Sequence, residues 1–196
     1  MSAFDDAPLV EVADRAAWRA WLEANHATAR GAWLVGWRRG RGPSLDYVAA
    51  VEEALCFGWI DGQGGMLDED RRRQYFAPRR PRSGWAASNK ARVERLIAEG
   101  RMAPAGLAAI ERAKANGSWS MLDEVERGLV PDDLTAALAA DPPSAAHFAA
   151  LAPSTRKMLV GWVLGAKRAE TRSRRIAEVV GASARGKLPG PWGTRR

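Results

Sequence analysis

Apolar positions at helical spacing, broken by short runs of strand-forming residues, divide the chain into a mixed first part and a helical remainder. Leu9 to Val12 reads as a short strand. Asp14 then stands where a helix cap belongs, and Ala17, Trp18, Trp21 and Leu22 share one face of a helix reaching about Asn25. Gly31 to Arg38 (GAWLVGWR) predicts a strand, bounded by glycine and rich in Trp and Val. After the loop GRGPS, Ser44 is placed to cap a second helix with Leu45, Val48, Val51 and Leu55 inward and Gly58 as its stop. Trp59 to Asp61, Gly65 to Leu67 and Arg73 to Ala77 predict short strands, which Pro78 and Pro81 end because proline cannot donate to a ladder. Only helices follow. Ser83 or Ser88 opens one carrying Val93, Leu96 and Ile97, with Gly100 as its stop, and Pro104 begins another that ends at Asn116-Gly117. Pro131, Ser144 and Ser154 start three more, and a last one spans about Thr171 to Val180.

This order predicts an α+β fold: a small antiparallel sheet with N-terminal helices, followed by an all-helical C-terminal half. Composition shifts near Asp123–Pro131 and at Asp141-Pro142-Pro143 divide it further. The expected parts are an α+β domain over 1–125, a helical module over 131–185 docked on it, and a disordered basic tail over 186–196 with Trp192 exposed.

Charge changes the picture less than its size suggests. The 196 residues carry a formal charge of +7 with a pI near 10.3, which invites a nucleic-acid reading. Arginine far outnumbers lysine and alanine is abundant, a bias that a GC-rich genome imposes on any protein. No run of about 18 apolar residues exists, so no membrane insertion is expected. The acidic start MSAFDDAPLVEVADR does not read as a signal peptide, and the single cysteine suits a reducing compartment, so the expected location is cytoplasmic.

Most familiar chemistries fail on residue types. His26 and His147 stand in no ligand spacing with each other or with Cys56, so no metal site is expected. Phosphate-loop and nucleophile-elbow patterns are absent, GQGG (62–65) reads as a turn, and no cofactor is implied. Cys56, in the apolar run EALCFGWIDG, reads as packing, with a catalytic nucleophile as the alternative. What remains is a block of unlike residues. Asp61 ends an apolar strand at a turn, and Arg79, Arg82, Ser83, Trp85 and Asn89 follow in YFAPRRPRSGWAASN. Proline-stiffened arginines beside a helix start suit a small anionic or aromatic ligand. In such a cleft Asp61 and Asn89 orient the ligand, Arg79 and Arg82 pair its charge, Ser83 adds a hydroxyl, and Trp59 and Trp85 form the walls. The plain alternative is an Asp61–Arg79 pair that locks the turn, with Ser83 as a cap and both tryptophans in the core.

The runs AAWRAWLEANH, GAWLVGW, EALCFGWIDG and YFAPRRPRSGWAASNKARVERLIAEGRMAPAGLAAIERAKANGSW, together with HFAALAPSTRKMLVGWVLGAKRAETRSRRIAEVV, resemble the YdeI/OmpD-associated, bacteriocin-protection (OmdA-like) family over about Val12 to Gly186. The resemblance implies protection against bacteriocins or cationic peptides, a form of stress resistance, and association with an outer-membrane protein. It implies no defined reaction. It also implies that the block of Asp61, Arg79, Ser83, Trp85 and Asn89 belongs to the family pattern. The C-terminal helices allow two readings. Arg156, Lys157, Lys167, Arg168, Arg172, Arg174 and Arg175 suit a nucleic acid or an acidic protein. Alternatively Met158, Leu159, Trp162, Val163 and Ile176 dock the pair on the main domain, and the charges form a solvated face.

Overall fold

A computed structural model describes residues 6–166 and 168–193; Lys167, named among the basic residues above, and the last three residues of the basic tail lie outside the described residues. The chain divides into two compact units, residues 1–121 and 122–196, a few residues before the boundary that composition suggests.

The first unit is built on a four-stranded sheet, β1 (Leu9–Glu11), β2 (Ala32–Trp37), β3 (Trp59–Met66) and β4 (Arg71–Pro78), in the order β1-β2-β4-β3. The α+β class is as expected, but the sheet is mixed. β4 is antiparallel to both β2 and β3, whereas β1 runs parallel to β2. The reason is the helix between them: α1 (Arg15–Asn25) carries the chain back along the sheet, and a strand–helix–strand crossover returns the chain in its original direction. β3 and β4 form one continuous hairpin rather than three short pieces. Asp68 Oδ1 accepts from the N–H groups of Asp70 (3.1 Å) and Arg71 (2.8 Å) and so fixes the turn. One extra residue between Asp61 and Gly64 makes a bulge in β3.

Asp14 caps α1 as expected, accepting from Ala17 N at 2.9 Å. The cap of α2 (Tyr47–Cys56) is Asp46, whose Oδ2 accepts from Ala49 N at 3.1 Å; Ser44 lies outside the helix. This later start turns Val48 outward, while Ala50 to Cys56 are buried without a break. Gly58 ends the segment in the left-handed region, φ +74°, which a side chain at this position would strain. Two helices complete the unit, α3 (Ala87–Ala98) and α4 (Pro104–Ala115). Neither Ser83 nor Ser88 caps α3, whose start at Ala86 has no side-chain cap, and Ile97 is exposed. Gly106 lets α4 close on the end of α2, where a Cβ would meet the Cys56 carbonyl oxygen at 2.2 Å. Trp18, Leu22, Leu34, Leu55, Trp59, Phe76, Trp85 and Leu96 share one core. Each large apolar side chain buried there contributes roughly 1.5–3 kcal/mol of transfer free energy.

The second unit is helical: α5 (Asp123–Glu126), α6 (Asp132–Ala139), α7 (Pro142–Ala150), α8 (Pro153–Leu164) and α9 (Ala169–Ala184). Pro142 and Pro153, not Ser144 and Ser154, open α7 and α8, since proline's fixed φ and missing N–H suit a first turn. The apolar positions offered above for docking build this unit's own core: Leu159 and Val163 are buried in it with Leu134, Phe148 and Val179, and Met158, Trp162 and Ile176 pack against it. The tail expected to be disordered is ordered as far as it is described. Gly190–Trp192 forms a 3-10 turn, and Trp192 packs edge-on against Trp162 with ring centroids 5.5 Å apart. Two apolar residues, Leu188 and Trp192, suffice to anchor it.

Candidate functional site

The residues singled out from sequence take distinct places. Trp59 and Trp85 are 1% and 2% exposed, so neither is free to wall a ligand site. Trp59 donates its Nε1–H to the His26 carbonyl at 3.2 Å, and Trp85 packs on Trp119 at 5.0 Å. Arg79 is 7% exposed and lies over the Trp85 ring, 4.0 Å from its centroid. Its Nη2 donates to the Gly84 carbonyl (2.8 Å) and the Ser83 carbonyl (3.4 Å), with Ser83 Oγ at 3.5 Å. Burial holds this guanidinium down to about 10, although nearby Asp61 favours its charge. Arg79 therefore fastens the segment before α3 from inside. Arg82 is exposed, and Asn89 Oδ1 accepts from Arg92 at 2.9 Å. Sequence thus brings Arg79, Ser83 and Trp85 together, with Asp61 within electrostatic reach, but as a lock rather than a pocket.

Asp61 leads elsewhere. Its Oδ2 accepts from the Tyr47 hydroxyl at 2.6 Å, tying the first turn of α2 to β3. Burial and then this bond raise the Tyr47 hydroxyl to about 12. Tyr47 also edges a cleft of about 350 Å³ between the start of α2 and the inner face of the sheet. The floor is Leu34, Ala50 and Phe76; Gly64, Gly65 and Met66 of the bulged strand form a side. Arg72 stands at the rim. The sheet register explains the lining: Gly36 pairs with Arg72, Leu34 with Gln74 and Ala32 with Phe76, so these alternate positions face α2.

Three consecutive arginines have three different fates. Arg71 pairs with Glu11 (2.5 Å) and Asp68 (2.7 Å), and Arg73 lies over Trp33 at 4.2 Å. Arg72 makes no ion pair among the described residues.

The feature most absent from the sequence reading is a buried pair of carboxylates on α2. Glu52 and Glu53 are 4% and 1% exposed. Glu53 accepts from Arg15 (2.5 Å), Arg19 (2.9 Å) and Arg101; Glu52 accepts from Arg15 (2.8 Å) and Arg95. Glu23 and Glu99 join the outer rim through Arg19, Arg95 and Arg101. Four arginines and four glutamates balance, which marks a fastener between α1, α2 and α3 rather than an anion site. Two acidic residues inside the apolar run VAAVEEALCFGW were the available signal. Cys56, beside this network, is fully buried, and burial pushes its thiol up, which is unfavourable for a nucleophile.

In the second unit the basic residues are largely engaged at home. Arg172 forks onto Asp133 (2.6 and 2.8 Å), and Lys157 pairs with Glu126 (3.0 Å). Arg156 donates to the Leu151 carbonyl (3.1 Å), and Arg175 donates to the Trp162 carbonyl (2.5 Å) and lies over its ring. No group of three or more His, Cys, Asp or Glu able to hold a metal ion occurs among the described residues, nor a helix long and apolar enough to cross a membrane.

Two family models match. Residues 10–109 fit a domain of unknown function (DUF8412), and residues 129–186 fit the bacteriocin-protection, YdeI or OmpD-associated module. The resemblance drawn from Val12 to Gly186 is therefore shared between two families, the second confined to the C-terminal unit. No curated protein and no solved structure matches the chain.

Proposed function

The chain belongs to the DUF8412 family over half its length and carries a YdeI/OmpD-associated module behind it, and from this premise we propose that its first unit binds a small molecule. The ligand is a mainly apolar or aromatic body with an anionic group, held between the start of α2 and the sheet. The supporting observation is the cleft itself. At about 350 Å³ it falls in the range of small-ligand sites, and apolar walls with a few convergent polar groups are the usual composition of such sites. Arg72, at the rim with no carboxylate partner among the described residues, suits the anion better than Arg79, whose Nη2 is engaged on carbonyl oxygens.

A thermal-shift screen with aromatic carboxylates tests this, because a ligand that binds only the native state raises its melting temperature. The control is Gly64→Leu. Its Cβ would meet only the movable end of Gln74 closely, at 2.6 Å, and its side chain would enter the cleft. The expected result is a dose-dependent rise in the wild type that Gly64→Leu removes. A rise that is undiminished in Gly64→Leu, or no rise with any carboxylate at millimolar concentration, overturns the reading.

A further inference from the structure

The cleft has chemically opposite ends, and this narrows the ligand beyond the presence of an anion. Along β4, Arg72 and Phe76 lie four residues apart, about 13 Å at strand spacing. At the Arg72 end stand Gly36, Ser44 and Met66, with Ser44 packed so close that a Cβ on Gly36 would meet its Oγ at 2.6 Å. At the Phe76 end the register pairs Asp61 with Phe76, and Asp61 holds the Tyr47 hydroxyl. Between them lie Leu34, Ala50, Gly64, Gly65, the Phe76 ring and Gln74, whose Nε2 donates to the Gly62 carbonyl at 2.7 Å; Arg73 also touches the cleft, but its guanidinium lies over the Trp33 ring.

The two ends ask for different partners. Arg72 offers only donors and a positive charge. At the other end, Tyr47 donates its O–H to Asp61 Oδ2, so the phenolic oxygen at the cleft edge and the second carboxylate oxygen keep lone pairs. The Arg79 guanidinium near Asp61 donates through Nη2 to the Ser83 and Gly84 carbonyls. We infer that the ligand is bifunctional: an acid at the Arg72 end, a hydrogen-bond donor such as a hydroxyl or amine at the Tyr47–Asp61 end, and an apolar or aromatic body between. This inference rests on the small-molecule reading above.

Three probes on one phenylethyl body separate the two ends: 3-phenylpropionate (acid only), 4-ethylphenol (donor only) and 3-(4-hydroxyphenyl)propionate (both), titrated calorimetrically into the full chain. The bifunctional probe is expected to bind roughly tenfold tighter than either single-ended one, the increment of one hydrogen bond to a charged group. Arg72→Ala is expected to erase its advantage over 4-ethylphenol. Asp61→Ala is expected to erase its advantage over 3-phenylpropionate, and Asp61→Asn, which keeps one acceptor, to restore part of it. Should Asp61→Ala melt below the titration temperature, Asp61→Asn alone carries the test through a reduced advantage. If single-ended probes bind as tightly as the bifunctional one, or the Asp61 variants leave its advantage intact, the two-ended inference falls and the cleft reading stands. If no probe binds the wild type, both fall.

Discussion

The two ends of α2 handle charge in opposite ways. Toward its C-terminus, Glu52 and Glu53 are buried and every carboxylate oxygen is met by a guanidinium from α1, α3 or the segment after α3. Toward its N-terminus, Tyr47 and Asp61 satisfy each other at the edge of an open cleft, and Arg72 across it has no carboxylate partner among the described residues. A closed network acts on folding: its two central carboxylates are buried and depend on their guanidinium partners. An open set of polar groups around apolar walls contributes little to folding and remains available to a ligand. Local charge balance, rather than net charge, separates the two. The +7 of the whole chain said nothing about either.

The largest effect is expected where the network is most closed. Glu53→Ala takes one carboxylate from each of Arg15, Arg19 and Arg101, leaving them Glu52, Glu23 and Glu99, and Glu53→Gln keeps the shape but not the charge. Loss of a buried partner costs about 3 kcal/mol or more. In a chain of this size that lowers the melting temperature by roughly 10 °C. Chemical denaturation followed by tryptophan fluorescence measures it. A loss below 1 kcal/mol would make the network as dispensable as surface pairs are.

Arg79 comes next. Arg79→Ala leaves the Gly84 and Ser83 carbonyls without their donor and uncovers the Trp85 face, a loss of about 2 kcal/mol. Arg79→Lys is expected to recover little, since an ammonium cannot both lie flat on the indole and reach the carbonyls. The same variant separates lock from ligand group. A stable Arg79→Ala protein that has lost ligand binding would return Arg79 to the site and upset the contrast between the ends of α2.

Sequence made the helices, the strands and the α+β class readable because these rest on local periodicity and on prolines and glycines at element ends. It misjudged what depends on partners far along the chain. β1 is parallel because α1 crosses over, and Asp46 rather than Ser44 caps α2 because the loop before it is longer than its Gly and Pro suggest. The candidate site was half legible. Asp61 was visible as a carboxylate at the end of an apolar strand, but its partner Tyr47 lies 14 residues earlier on a helix, and nothing local announces the meeting. Arg72 looked like one of three equivalent arginines until strand register set it on the cleft face while Arg71 and Arg73 found partners elsewhere. Glu52 and Glu53 were legible in principle, since two adjacent acids inside an apolar run must find partners, and four scattered arginines supply them.

The smallest effect belongs to the open end. Asp61→Asn is expected to cost less than 1 kcal/mol at neutral pH, as a partly exposed polar pair does. Its signature is spectroscopic. The chain has two tyrosines, and the folded Tyr47 holds its proton to about 12 because of burial and the Asp61 carboxylate. The unfolded hydroxyl releases its proton near pH 10. Between those values the native state therefore binds a proton that the unfolded state has lost, so this contribution is full below pH 10 and disappears as pH rises through 12. Removing the carboxylate's charge leaves burial and a weaker bond to the remaining amide acceptor to raise the hydroxyl. The ultraviolet titration of Tyr47, identified by its absence in Tyr47→Phe, should move down toward 10 in Asp61→Asn. A ligand donor that occupies the Asp61 end should move it too. An unmoved titration in Asp61→Asn would mean that the tie between α2 and β3 does not form, and the acceptor end of the cleft would go with it.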